Sequence, residues 1–188
     1  MNTRKIGFAI ASIAILMLVT SCASSPSSVS SEGAPAVSVR LLSGEEIKSA
    51  FGKNYETNPY MPYKGLISGA KEEFIVLKVE VPMTQNGAVS VFCSALGPDG
   101  KEVATQRDIR EMENYWYPIG GKTEVNIEKR ISMLRRSYMR SNPYAAKAGK
   151  SSFIVVLIGK NPLPRPAKVE VQVMAAGLES ASFSFDLN

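Results

Sequence analysis

The sequence has no histidine and only two cysteines, Cys22 and Cys93. Without histidine, the chain can form no Ser-His-Asp or Cys-His catalytic group and no metal site with an imidazole ligand. Two cysteines are also too few for a Cys₄ zinc site. These absences exclude the commonest hydrolase and structural-zinc classes, and the sequence predicts neither a metal nor another cofactor.

Aspartate is scarce as well, because only Asp99, Asp108 and Asp186 occur, and their spacing is not that of a calcium-binding loop. Glutamates do occur as neighbours, for example Glu45 and Glu46. A glycosidase needs two carboxyl groups that face each other across a cleft, whereas neighbouring glutamates are typical of a solvated surface. We therefore expect no catalytic residues and a protein that is not an enzyme.

The longest uncharged apolar run is shorter than a membrane span. Residues 6–20 form this run, whereas a transmembrane helix needs about 20 residues. Arg4 and Lys5 precede the run, and a basic segment followed by a short apolar segment is typical of a secretory signal peptide. We therefore expect residues 1–21 to be a signal peptide that is removed from the mature protein.

The apolar run ends in the sequence Val19-Thr20-Ser21-Cys22. Small residues directly before a cysteine in this context resemble the lipobox of bacterial lipoproteins. The resemblance implies cleavage after Ser21 and acylation of Cys22, and two or more acyl chains make a stable membrane anchor. Ala23 follows, which by analogy with enteric bacteria implies the outer membrane rather than the inner membrane. The alternative is an ordinary signal peptide with a cysteine near its cleavage site.

The mature chain divides into a short polar segment and one longer domain. Residues 22–36 combine the acylated cysteine with a segment rich in serine and proline, in which Glu32 is the only charged residue. Such a composition cannot bury a core, so this segment is predicted to be a flexible tether. Residues 37–188 have the length of a single domain.

Alternating apolar and polar residues predict β-strands in the first half of this domain. The strands are predicted at residues 74–82, 88–96 and 101–106. Asn86-Gly87 lies between the first two strands, and this dipeptide is typical of a tight hairpin turn. The pattern therefore predicts an antiparallel meander of three strands.

The second half of the domain shows the same patterns. A continuous apolar run at 153–158 is typical of a central strand, and alternating residues predict strands at 167–174 and around 183–187. With 37–42 added, about seven short strands favour a β-sandwich. The arrangement resembles the small immunoglobulin-like lipoproteins of bacterial envelopes, a resemblance of architecture that carries no functional residues.

Two segments have helical rather than strand patterns. Residues 43–52 begin at a capping Ser43 and end at Gly52. Residues 123–141 place apolar side chains at intervals of three and four, which makes one apolar stripe. The sequence therefore predicts a mainly β, immunoglobulin-like sandwich of about seven strands with one short and one longer peripheral helix.

The first candidate contact site is the aromatic run Tyr115, Trp116 and Tyr117. Such a cluster could stack on a sugar, lie at a lipid interface or anchor a protein contact. In the alternative, Trp116 packs against the core under a long connection. Cys93 lies on the apolar face of its strand and, once Cys22 is acylated, has no partner for an intramolecular disulfide.

The second candidate is the basic segment 122–150, which contains eight Lys and Arg residues but only two glutamates. It could contact anionic headgroups or an acidic partner, with Arg135 and Arg136 at its centre. In the alternative it is a solvated face whose apolar stripe packs on the sheet. Nucleic acid is not an expected partner outside the cytoplasm.

The sequence thus predicts an outer-membrane lipoprotein whose non-enzymatic domain, on the periplasmic or the surface face, contacts another envelope component. The second interpretation is a glycan or small-ligand binder that uses the aromatic run.

Overall fold

The computed structural model describes residues 37–54, 57–65, 69–120, 126–140, 143–178 and 180–188. This part of the chain contains nine strands, three α-helices and one 3₁₀ turn. In chain order the elements are β1 Ser38–Leu41, α1 Gly44–Phe51, β2 Lys64–Gly65, β3 Gly69–Ala70, β4 Glu72–Met83, β5 Val89–Leu96, β6 Glu102–Arg107, α2 Ile109–Gly120, α3 Ile127–Arg140, the 3₁₀ turn Pro143–Ala145, β7 Gly149–Lys160, β8 Ala167–Ala175 and β9 Ala181–Leu187.

Seven of the strands form one antiparallel sheet in the order β1-β4-β7-β6-β5-β8-β9, and β2 pairs only with β3. Strands β4 and β7 pair along their whole length, from Glu72 opposite Lys160 to Met83 opposite Gly149. Strands β5 and β8 pair over eight residues. Because β6 pairs with β7 at four positions and with β5 at three, it joins two more extensively paired halves of the sheet.

The main hydrophobic core lies between these two halves. Inward-facing side chains of β4 and β7 pack in one cluster with those of β5, β8 and β9. Strands β8 and β9 are buried at every second residue, as expected for strands with one solvated face. The sheet must therefore curve so that one of its faces encloses the core.

A second core lies on the opposite face of β4 and β7, where the helices pack. Val76, Val156 and Ile158 from the two strands meet Met112 of α2 and Leu134 of α3. Both faces of β4 and β7 are therefore covered, which explains why the sequence of β7 is a continuous apolar run.

The prediction of a mainly β fold is confirmed, but the predicted number of helices is wrong. The described part of the chain has three α-helices, and α2 occupies the region where a long connection was expected. Asp108 begins this helix, because its side chain accepts a hydrogen bond from the Glu111 amide at 2.7 Å and Glu111 accepts one from the Asp108 amide at 2.9 Å. This reciprocal capping satisfies two backbone donors that a helix start otherwise leaves unpaired.

The predicted meander is also wrong in its first pairing. Strand β4 has β1 and β7 as its neighbours, whereas β5 pairs with β6 and β8. Asn86-Gly87 does not close a two-residue hairpin, since Gly87 pairs instead with Ala146. The apolar faces of β4 and β5 pack toward the same core from its two halves, so residues 84–88 carry the chain from one half to the other.

Other predicted elements are present close to their predicted bounds. Helix α1 has Ser43 as its N-cap and Gly52 as its C-cap. The turn between β5 and β6 is closed by the Gly97 amide, which donates to the Lys101 carbonyl at 2.8 Å, and Gly100 has a positive φ of 73°. Helix α3 begins at Ile127, and residues 123–125 and 141 of the predicted helix lie outside the described part of the chain.

Candidate functional site

The three consecutive aromatic residues of α2 face different environments. Trp116 is completely buried, Tyr115 is half-buried, and Tyr117 has 54% of its surface exposed. Consecutive residues on a helix point about 100° apart, so they cannot form one flat surface. The alternative in which Trp116 packs into the interior agrees with its burial, and a sugar-stacking surface remains a prediction only for Tyr117.

Trp116 is packed against a buried cation. The Cζ atom of Arg130 on α3 lies 3.8 Å from the centroid of the indole ring, and Arg130 has no exposed surface. The Arg130 guanidinium also donates a hydrogen bond to the Met61 carbonyl at 2.9 Å. Among the described residues the indole N–H of Trp116 has no hydrogen-bond acceptor. The pair therefore fixes α2 against α3 and holds both to the segment that precedes β2.

Tyr115 connects α2 to the sheet. Its hydroxyl donates to the Glu72 carboxylate at 3.1 Å, and its ring meets Phe74 edge to face with centroids 5.4 Å apart. Burial is the main cause that raises the pKa of Tyr115, and the negative charge of Glu72 adds to it. These contacts give Tyr115 a structural role in the position of α2.

Glu113 and Tyr117 of α2 meet Arg135 of α3 at a polar surface. We name this surface, together with Arg136, the next exposed residue of α3, the helix-pair patch. Arg135 forms a bidentate salt bridge with Glu113, in which the Arg135 Nε lies 2.6 Å from Oε1 and the Nη2 lies 3.3 Å from Oε2. Hydrogen bonds with Glu113 are the main cause that raises the pKa of Arg135, and Tyr117 contributes as well. The patch thus presents an ordered guanidinium beside an exposed aromatic ring.

The basic segment is not one uniformly solvated face. Arg130 is buried, Arg135 is held by Glu113, and the Arg136 Nε donates to the Ser132 carbonyl at 3.3 Å while its side chain remains exposed. Ile131 and Leu134, from the apolar stripe of α3, are buried as the stripe predicted. Lys122 lies outside the described residues.

The remaining predicted site residues are Cys22 and Ser21, and both lie outside the described residues. Cys93, in contrast, is described and partly buried within β5. Burial raises the pKa of its thiol to about 12, so the thiolate that would act as a nucleophile or metal ligand is almost absent at neutral pH.

The structure also contains a cleft of about 1100 Å³ that sequence reasoning missed. It opens between β5 and β7 and is named here the split-sheet cleft. Phe92, Tyr138 and Tyr144 are among the residues that line it. One signal was present in the sequence, because Phe92 interrupts the polar face of β5 between Ser90 and Ser94.

The described residues contain neither a cluster of metal ligands nor a helix that could span a membrane. No three His, Cys, Asp or Glu side chains of that part of the chain come together as metal ligands. None of its helices combines the length and the apolar character needed to cross a membrane.

A comparison with known proteins found no relative of this chain. No family model matches the chain, and neither does any curated protein or solved structure.

Proposed function

We propose that this protein is a membrane-anchored envelope lipoprotein whose non-enzymatic domain binds a protein or another envelope component through the helix-pair patch. The observation that carries this proposal is the contact between Glu113 and Arg135 beside the exposed ring of Tyr117. An arginine already held in one rotamer loses less conformational entropy on binding than a free one. Arginine and tyrosine are also enriched in protein interfaces.

The anchoring part of the proposal rests on the N-terminal sequence. Acyl chains on Cys22 would hold the protein in the outer membrane, and residues 23–36 would act as a tether of about 20 Å. The domain would then lie close to the membrane, on its periplasmic or surface side, where an envelope component is within reach.

We also propose that the domain resembles immunoglobulin-like sandwiches in its architecture. In support of it, inward-facing residues of β1, β4 and β7 pack across one core against those of β5, β8 and β9. The two halves remain joined through β6 in one sheet, which is the feature that differs from two separate sheets.

The anchor is tested by labelling cells with radioactive palmitate and comparing the wild-type protein with Cys22→Ser. We expect label on the wild-type protein only, with the variant either uncleaved or released from the membrane fraction. A labelled, membrane-bound Cys22→Ser protein would contradict the assignment of Cys22.

The contact surface is tested by photo-crosslinking in living cells with a photoreactive residue in place of Arg136. Lys101, exposed in the turn between β5 and β6, provides the matched control position. We expect a discrete crosslinked band from position 136 and none from position 101. No band from position 136, or the same bands from both positions, would refute binding through the patch.

A further inference from the structure

The floor of the split-sheet cleft is a polar face of the sheet. Six residues of β5, β8 and β9 that line the cleft form this floor: Phe92, Ser94, Glu170, Gln172, Ser182 and Ser184. The strand register places Gln172 between Phe92 and Ser182. One row further along, it places Glu170 between Ser94 and Ser184. The intervening residues of each strand pack toward the main core, so these side chains point away from it.

The cleft floor is bounded on one side by tyrosines from the helical part of the domain. Tyr138 of α3 and Tyr144 of the 3₁₀ turn both line the cleft. Burial is the main cause that raises the pKa of Tyr138, and Tyr144 and Asp108 add to it, so these three side chains lie near one another. The 3₁₀ turn packs against β5 and forms a wall of the cleft. The open part of the cleft is therefore a groove over its floor.

The apolar end of the cleft offers little surface to a ligand. Met112, Leu134 and Val156 line this end, but each is almost completely buried because it packs in the second core. The accessible apolar groups are instead two aromatic rings, since Phe92 is 56% and Tyr144 is 74% exposed. A ligand in the groove would therefore meet these rings and the polar side chains of the floor.

The charged side chains of the cleft are already paired. Arg107 forms a salt bridge with Glu111 at 3.3 Å, and Glu170 forms one with Lys168 at 3.3 Å. Asp108 accepts a hydrogen bond from the Glu111 amide at the start of α2, where the helix dipole offsets its negative charge. An ionic ligand would have to compete with these partners, so the cleft favours a neutral ligand.

The cleft floor also presents hydroxyl groups that can bind a ligand. In the described part of the chain, the hydroxyls of Ser94, Ser182 and Ser184 make no hydrogen bond to another residue. Each hydroxyl can donate one hydrogen bond and accept two. Between them, the Gln172 amide donates to the Ser180 hydroxyl at 3.2 Å, which holds the amide on the floor.

Neutral hydroxyl groups beside exposed aromatic rings suit a carbohydrate. One face of a pyranose ring consists of C–H groups, which pack on the electron-rich face of an aromatic ring. The hydroxyls at its edge exchange hydrogen bonds with hydroxyl and amide side chains. The volume of about 1100 Å³ is at the upper end of small-ligand pockets, so it has room for a short chain rather than a single ring.

We propose that the split-sheet cleft binds a neutral glycan chain, with one sugar ring stacked on Phe92 and its hydroxyls bonded to the serines of β9. Tyr144 contacts the chain at the edge of the groove. The cleft shares no residue with the helix-pair patch, and the glycan site does not rest on binding through that patch. The two proposals can therefore fail separately.

The test is saturation-transfer difference NMR on the full-length protein in polyoxyethylene detergent micelles, which contain no sugar. The neutral probes are cellohexaose, maltohexaose, xylohexaose and chitohexaose, and the acidic probe is hexagalacturonate. We expect saturation to reach the ring C–H protons of at least one neutral probe. Hexagalacturonate should bind at least about tenfold more weakly, because the cations of the cleft are paired.

Matched surface variants locate the site. Phe92→Ala removes an exposed ring and should weaken binding of the neutral probe about tenfold. Joint replacement of Ser182 and Ser184 by alanine should weaken it about fivefold through the lost hydrogen bonds. Met174→Ala is the control, since Met174 is an exposed apolar residue on the same face of β8 that does not line the cleft. Its binding should equal that of the wild type.

Three results would overturn the proposal. The first is no saturation transfer to any neutral probe, and the second is equal or tighter binding of hexagalacturonate. The third is unchanged binding by Phe92→Ala with a wild-type urea midpoint, because the sugar would then bind elsewhere on the protein.

Discussion

Replacement of Arg130 by alanine should lower the free energy of unfolding by about 3 kcal/mol. The Arg130 guanidinium is fully buried, donates to the Met61 carbonyl at 2.9 Å and lies 3.8 Å from the centroid of the Trp116 ring. A hydrogen bond from a charged group contributes about 1.5–3 kcal/mol, and a desolvated cation–π contact contributes about 2 kcal/mol. The two terms overlap, because the same group makes both contacts, so they contribute less than their sum.

The assay is urea unfolding followed by far-ultraviolet circular dichroism. With a urea dependence of about 2 kcal/mol per molar, typical of a small domain, the midpoint should fall by about 1.5 M. Arg130→Met keeps much of the side-chain volume but removes the same hydrogen bond and cation–π contact, so it should lose nearly as much stability, about 2–3 kcal/mol. Arg136→Ala is the matched control: Arg136 is exposed on the same helix, so its loss should stay within about 0.5 kcal/mol. Equal losses for Arg130→Ala and Arg136→Ala would refute the structural role of the buried guanidinium.

Three further predictions concern other parts of the domain. Gly159→Ala should destabilise the protein by about 1–3 kcal/mol in urea unfolding, because the new methyl group would overlap the Val103 carbonyl oxygen; an unchanged midpoint would contradict the close approach of β6 and β7. Cys93, in a chain where it is the only thiol, should react with a thiol reagent at pH 8 about a thousandfold more slowly than after unfolding, since burial raises its pKa to about 12. Equal rates in the two states would show an exposed thiol. Hydrogen bonds from Ser43, together with Arg40, lower the pKa of Glu46 to about 2. Ionised Glu46 therefore stabilises the folded state at pH values above the ordinary glutamate pKa, and this stabilisation is lost as the pH falls toward 2. It amounts to less than about 1 kcal/mol, because the Glu46 side chain is 41% exposed. Glu46→Gln should remove this part of the acid sensitivity in pH titrations of stability, and an identical pH profile would contradict the assignment.

Most strands of the large sheet were predictable from the sequence, because they bury one face and so alternate between apolar and polar residues. Strand β7 was predictable for the opposite reason, since both of its faces are covered and its centre is a continuous apolar run. Helix α2 was predicted as a connection, although its start has a readable signal. Asp108 and Glu111 have the three-residue spacing of a capping box. Pro118 and three adjacent aromatic residues obscured the helical period that follows.

Strand pairing was less predictable than strand position. Asn86-Gly87 is a strong local signal for a hairpin, but the pairing of β4 was decided by contacts distant in sequence. Strand β7 aligns with β4 over twelve residues, and this long pairing outweighs the preference of two turn residues. A pattern read along the chain contains no information about which strand lies beside which.

The candidate site was predictable in composition but not in geometry. Sequence reasoning identified Tyr117, Arg135 and Arg136 as surface candidates, yet it could not show that Glu113 pairs with Arg135 or that Arg130 is buried. The split-sheet cleft depends on where β6 ends relative to β5 and β7, which is a property of the assembled sheet.

The most direct test of the proposed function reverses the charges of the helix-pair patch while retaining its ion pair. In wild type the exposed partner is Arg135, with 53% of its side chain accessible, whereas Glu113 is 18% accessible. The double variant Glu113→Arg and Arg135→Glu keeps an ion pair between α2 and α3 but presents negative charge at the surface. We predict that crosslinking from a photoreactive residue at position 136 is lost in this variant, while its urea midpoint stays close to that of the wild type. Unchanged crosslinking in the folded double variant would contradict binding through the patch.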